Sequence, residues 1–149
     1  MNFLDNIFHN LARTPDRIVL QEAREERLVP TTCTELLAAV GAGRAFLPQA
    51  GLKKGDRCAV LAHNSARWAA LDLALMAEGI IGVPLYARQA PAELVAMMQD
   101  CAPSLVCCGD EGLREGLARN WPGAPSLRLF DEIFSRTGVP SCPVHILLG

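Results

Sequence analysis

The stretch CAVLAHNSARWAALDLALMAEGIIGVPLY, residues 58–86, decides the fold class. It opens on five apolar residues, Cys58 to Ala62, the length of a strand buried on both faces as in parallel sheets. The polar turn His63-Asn64-Ser65 supplies an N-cap for a helix over 66–78, and Gly79 stops it. Ile80 to Tyr86 is the next apolar strand, and Pro84 confines it to an edge, a bulge or the strand's end. The span from Trp68 to Ala87 is broken by Asp72, Glu78 and Pro84, whereas a membrane crossing needs about 20 apolar residues with few or no charges. A core helix followed by a buried strand is the better reading, and no membrane span is expected.

Downstream the alternation continues. Pro91 opens a helix with a stripe of Leu94, Met97, Met98 and Cys101, closed by Ala102-Pro103. A strand over 104–108, a helix over 111–121 and a short strand over 127–130 follow, and 131–149 reads as an irregular tail punctuated by Pro140 and Pro143. Upstream, Phe3, Leu4, Ile7, Phe8 and Leu11 recur at helical spacing until Thr14-Pro15. Two short strands, 17–21 and 28–30, flank a charged turn, and Thr32 with Glu35 forms a capping box for a helix ending near Pro48 and Gly51. Strand–helix alternation from Cys58 onward gives an α/β fold: a parallel or mostly parallel sheet with helices on both faces. At 149 residues the chain is one domain, or one piece of a larger one.

Half of the residues are apolar, a fifth are charged and the formal net charge is −2. This balance excludes a disordered chain, and no overall field draws the protein to nucleic acid. The N-terminus lacks a basic segment and carries Asp5, so it does not resemble a secretion signal. The six cysteines have no CxxC pairing and no zinc-ligand spacing, which points to free thiols in a cytoplasmic setting. Cys107-Cys108 invites a redox reading, but neighbours on a strand point to opposite faces, so packing is favoured.

Four features bear on chemistry. Gly41-Ala42-Gly43 lies inside a helix with Phe46 where a third glycine would stand, so close helix packing displaces a dinucleotide fingerprint. His63 and Asn64 follow the carboxyl end of a strand, where open α/β sheets receive ligands. A helix N-terminus there offers an anion site with His63 as titrating partner; the plainer reading is a capped turn. Asp72 and Glu78 face directions about 120° apart on their helix and cannot act as a pair, one falling on a polar face or against a loop, the other solvated. Trp68, Leu71 and Leu75 read as core before they read as a pocket wall. Lys53 and Lys54 are the only lysines and sit in no phosphate-cradling loop; nucleophile elbow and metal motifs are absent.

The co-linear run GLKKGDRCAVLAHNSARWAALDLALMAEGIIGVPLYARQAPAELVAMMQDCAPSLVCCGD, residues 51–110, resembles the N-terminal region of the adenylate-forming (AMP-binding) synthetases. Thr34-Glu35-Leu36 matches the family's helix opening, with Cys33 where an aromatic is usual, and the likeness extends over roughly 1–130. Trp68, Asp72-Leu73-Ala74 and Val83-Pro84-Leu85-Tyr86 look most like the long-chain fatty acid acyl-CoA ligases. The resemblance implies a parent enzyme that joins a fatty or other carboxylic acid to AMP from ATP, with Mg²⁺, and passes the acyl group to coenzyme A. In the family the phosphate-binding loop, the metal-holding acid and the catalytic lysine come after the region present here. No catalytic or metal-binding residue is therefore carried over, no cofactor is expected for this chain alone, and His63 and Asn64 remain the candidate substrate-binding residues. Two expectations follow: a catalytically incomplete N-terminal portion of such a ligase, or a docking or dimerisation module that self-associates through uncovered apolar surface.

Overall fold

The computed structural model describes residues 2–135 and the backbone of strand His145–Leu148. Helix α1 (Phe3–Arg13) is capped by Asn2 and Asp5, each side chain accepting from the other residue's backbone N–H. Strands β1 (Ile18–Arg24) and β2 (Arg27–Thr32) form an antiparallel hairpin, longer at both inner ends than the sequence suggests. The predicted capping box opens α2 (Cys33–Gln49): Thr32 Oγ1 accepts from the Glu35 N–H at 3.2 Å, and the Glu35 carboxylate accepts from the Thr32 N–H at 3.1 Å.

Four strands then line up in parallel: β3 (Arg57–Leu61), β4 (Ile81–Leu85), β5 (Leu105–Cys108) and β6 (Ser126–Leu129), in the order β4-β3-β5-β6. Their connections are α3 (Ala66–Ala77), α4 (Pro91–Cys101) and α5 (Glu111–Asn120). The order places β4 on one side of β3 and β5 on the other, so the crossovers must use opposite faces to stay right-handed. They do. Leu71 and Leu75 of α3 pack with α2 against Cys58, Val60 and Cys107, whereas Leu94, Val95 and Met98 of α4 and Leu117 of α5 pack against Ala59, Leu61, Val106 and Cys108. Pro84 lies in β4, which is an edge strand among the described residues.

Cys107 and Cys108 point to opposite faces, each wholly buried, as the packing reading requires. Cys107 Sγ lies 3.8 Å from Cys58 Sγ; this contact and burial raise its pKa, and burial pushes the Cys108 thiol up to about 12. Thiols held protonated are poor nucleophiles, so neither suits thiol chemistry. Cys142 lies outside the described residues.

Two regular elements stand in the stretch read as an irregular tail. Helix α6 (Phe130–Phe134) buries Phe130, Ile133 and Phe134, and β7 (His145–Leu148) pairs antiparallel with β1. A five-residue helix shows too little periodicity to be recognised in sequence, and it is held by contacts with α2 and α3 rather than by propensity. Arg67 of α3 holds it directly: the nearly buried guanidinium donates to Asp131 Oδ1 at 2.7 Å and to the Phe134 carbonyl at 3.4 Å.

Candidate functional site

In open α/β sheets a ligand crevice opens where connections from neighbouring strands leave to opposite faces, here on either side of β3, toward β4 and toward β5. On the β5 side it is closed. The Gly109 N–H donates to the Leu61 carbonyl at 2.8 Å, and a side chain at Gly109 would meet the Ala62 Cβ at 2.8 Å. The opening lies instead between the carboxyl ends of β3 and β4. There a cavity of about 490 Å³ is bounded by the 62–64 turn, Trp68 and residues 84–88.

Both candidates line it. His63 is half-buried and Asn64 exposed, and neither side chain hydrogen-bonds to another described residue. The plainer reading of this turn, a helix cap, is borne out by Ser65, whose Oγ accepts the Trp68 N–H at 3.0 Å; Asn64 is not the cap and lines the cleft. The expected anion place at the α3 N-terminus is already filled, because the fully buried Glu22 carboxylate accepts the Ala66 N–H. A carboxylate of the chain itself sits on that terminus.

Three of the other lining residues, Trp68, Tyr86 and Arg88, carry a ring or a charge that the sequence pattern does not assign to a site. Trp68 is only half-buried and contributes a wall, whereas Leu71 and Leu75 are core as expected. Trp68 packs partly against the core, as its place on the stripe predicts, and its remaining surface lines the cleft. Tyr86 and Arg88 follow the end of β4; Arg88 is the cation among the lining residues and has no ion pair among the described residues. A polar break directly after an edge strand in an α/β sheet is the signal that could have found them.

Asp72 lies one turn beyond Trp68 on α3, near Gly82, half-buried and without a hydrogen bond among the described residues. Burial raises its pKa above 3.8. The ionised form is therefore the disfavoured one, and its cost to stability is present at pH values above the raised folded pKa and disappears as pH falls below the unfolded value. Asp72→Asn should raise the urea midpoint at about pH 7 and leave it unchanged at about pH 3. Glu78 is not simply solvated: its carboxylate accepts from Arg44 Nε at 2.8 Å, tying the end of α3 to α2.

A family profile described as AMP-binding enzyme matches residues 7–133. The chain belongs to the AMP-binding enzyme family. Among curated members, the long-chain-fatty-acid–CoA ligase FadD15 of Mycobacterium tuberculosis is 27% identical over 94 residues, covering 63% of this chain and 16% of that protein. A hybrid PKS-NRPS synthetase of Trichoderma harzianum, thnA, is 29% identical over 123 residues, 83% of this chain and 3% of its own length. The chain thus spans a small part of the length of the curated relatives it matches. Among solved structures, a benzoate CoA ligase from Burkholderia xenovorans superimposes with a TM-score of 0.76 at 16% identity, covering 97% of this chain and 30% of that one. The O-succinylbenzoate coenzyme A synthetase of Bacillus subtilis gives 0.70 at 22% identity, covering 96% and 35%. The α/β fold and the N-terminal place in an AMP-binding enzyme therefore stand as the sequence suggests. Among the described residues no helix is long and apolar enough to cross a membrane.

Proposed function

We propose that this chain is the N-terminal scaffold of an ATP-dependent carboxylate–coenzyme A ligase, and that its cleft forms one wall of that enzyme's ligand site. The observation that carries the reading is the cleft itself, in a chain whose family membership is established over residues 7–133. Aromatic faces from Trp68 and Tyr86 stand beside an unpaired guanidinium, Arg88, and the polar pair His63 and Asn64. Flat rings receive a base or an acyl chain, and a guanidinium receives phosphate or carboxylate. ATP and coenzyme A both present a base and phosphates, so either suits this wall. A fatty acid is the acyl substrate favoured by the likeness to FadD15, and a cytoplasmic setting is where ATP and coenzyme A are pooled.

Adenylation additionally needs groups that grip a triphosphate and its metal, and the 149 residues carry no glycine-rich lysine loop and, among the described residues, no cluster able to hold a metal ion. The chain by itself should give no carboxylate-dependent exchange of pyrophosphate into ATP with fatty acids or with benzoate. Exchange above background would overturn this part of the proposal.

A second reading, a docking or dimerisation module, is supported by β4, an edge strand among the described residues. Ile81 is 51% exposed, with half-buried Val83 two residues on along the same face of the strand. The Ile81 N–H donates to the Asp56 carbonyl, so the alternate residues Gly82 and Pro84 present the outer main chain, and Pro84 has no N–H to offer. Association here would proceed through side chains rather than strand pairing. A dilution series by sedimentation should show self-association that is weakened in Ile81→Lys; a monomer at every concentration would remove this reading.

A further inference from the structure

We propose that Glu22 is a built-in anion: it occupies the N-terminus of α3 and thereby positions the His63–Asn64 wall of the cleft. Glu22 belongs to β1 of the antiparallel sheet, not to the turn preceding α3. Its carboxylate is wholly buried, with Oε1 on the N–H of Ala66, the first residue of α3, and Oε2 3.4 Å from Arg24 Nη2. The first N–H groups of a helix have no partner within it and carry the positive end of its dipole. Here Glu22 takes one and Ser65 takes that of Trp68. A buried charge persists only where such donors compensate it.

Two consequences follow for the cleft. A ligand phosphate or carboxylate approaching α3 meets a fixed negative charge instead of free donors, so its anion is received at Arg88 on the facing wall. The 62–64 turn is also pinned to the other sheet, because Asn64 lies only two residues before the bonded Ala66. The first consequence rests on the ligand reading above; the built-in anion itself does not.

The test uses this chain with formate as the probe. The chain has two tryptophans, so Trp121→Phe leaves Trp68 as the reporter in the cleft wall. In that background Glu22→Ala should lower the thermal midpoint by several degrees and shift Trp68 emission. Sodium formate should restore at least half of both changes, sodium chloride at equal ionic strength neither, and the unsubstituted Glu22 protein should not respond. Glu22→Gln keeps an acceptor oxygen without the charge and should fall between. Formate acting no better than chloride on Glu22→Ala, or a Glu22→Gln protein matching Glu22 in both readouts, overturns the proposal. Should Glu22→Ala fail to fold, Glu22→Gln decides: a lowered midpoint with shifted Trp68 emission supports the built-in anion, and no change refutes it.

Discussion

Replacing Phe134 by Ala should cost the folded chain about 3–5 kcal/mol, the range for emptying a buried aromatic site. Phe134 is 0% exposed and sits edge-on to Phe130, ring centroids 5.8 Å apart at 79°, with the Arg67 guanidinium 5.9 Å over its own ring. The site cannot collapse easily, because α2 and α3 of the same cluster are tied to the sheet. The damage should also spread. Five residues do not hold a helix in isolation, so without Phe134 the α6 turn loses its anchor and Arg67 loses Asp131 and the Phe134 carbonyl together. Urea unfolding should show a lower midpoint at unchanged slope. A loss below about 1 kcal/mol would mean that α6 is not docked as described.

The second large effect lies between α2 and α3. A Cβ built on Gly43 would stand 2.8 Å from the Ala74 Cβ, an atom carried directly on the α3 backbone and unable to swing aside. Gly43→Val should therefore destabilise by about 1–3 kcal/mol, toward the upper end because two long helices must separate to admit it. Gly41 is the internal control: a Cβ there would have nothing within 4 Å. Gly41→Ala should stabilise by up to about 1 kcal/mol, the helix-propensity difference. Opposite signs at two glycines so close in one helix would establish that the Gly-Ala-Gly pattern serves helix packing at one position only. Equal signs would refute it.

The core alternation was legible because it is written in long, redundant signals. The apolar run Cys58–Ala62, the Ser65 cap and the Gly79 stop each point to the same strand–helix unit, and the Thr32–Glu35 box appears with both bonds made. What escaped notice depends on tertiary contact. Helix α6 is too short to have a period, and its residues become core only against Arg67 and α2. Strand β7 forms by pairing with β1, more than a hundred positions away in sequence, which local pattern does not encode.

The candidate site was half legible for the same reason. His63 and Asn64 follow from strand topology, which sequence periodicity reveals. Arg88 joins them through the parallel β3–β4 register, in which Leu61 lies opposite Leu85, so that both following turns emerge at the same end of the sheet. The role of Glu22 was hidden entirely. An acidic residue in a short hairpin strand reads as surface, and only the approach of the α3 N-terminus makes it a buried capping anion.

The most direct test of the cleft is a fluorescence titration of the Trp121→Phe protein, in which Trp68 reports on the wall it forms. Coenzyme A and ATP–Mg²⁺ are added separately, to this protein and to the same protein carrying Arg88→Ala. The expected result is a saturable change in Trp68 emission with at least one of the two, weakened about tenfold or more by Arg88→Ala, as befits loss of a charge-assisted phosphate contact. No response to either ligand, or a response that Arg88→Ala leaves intact, would contradict the assignment of this cleft as the ligand-facing wall.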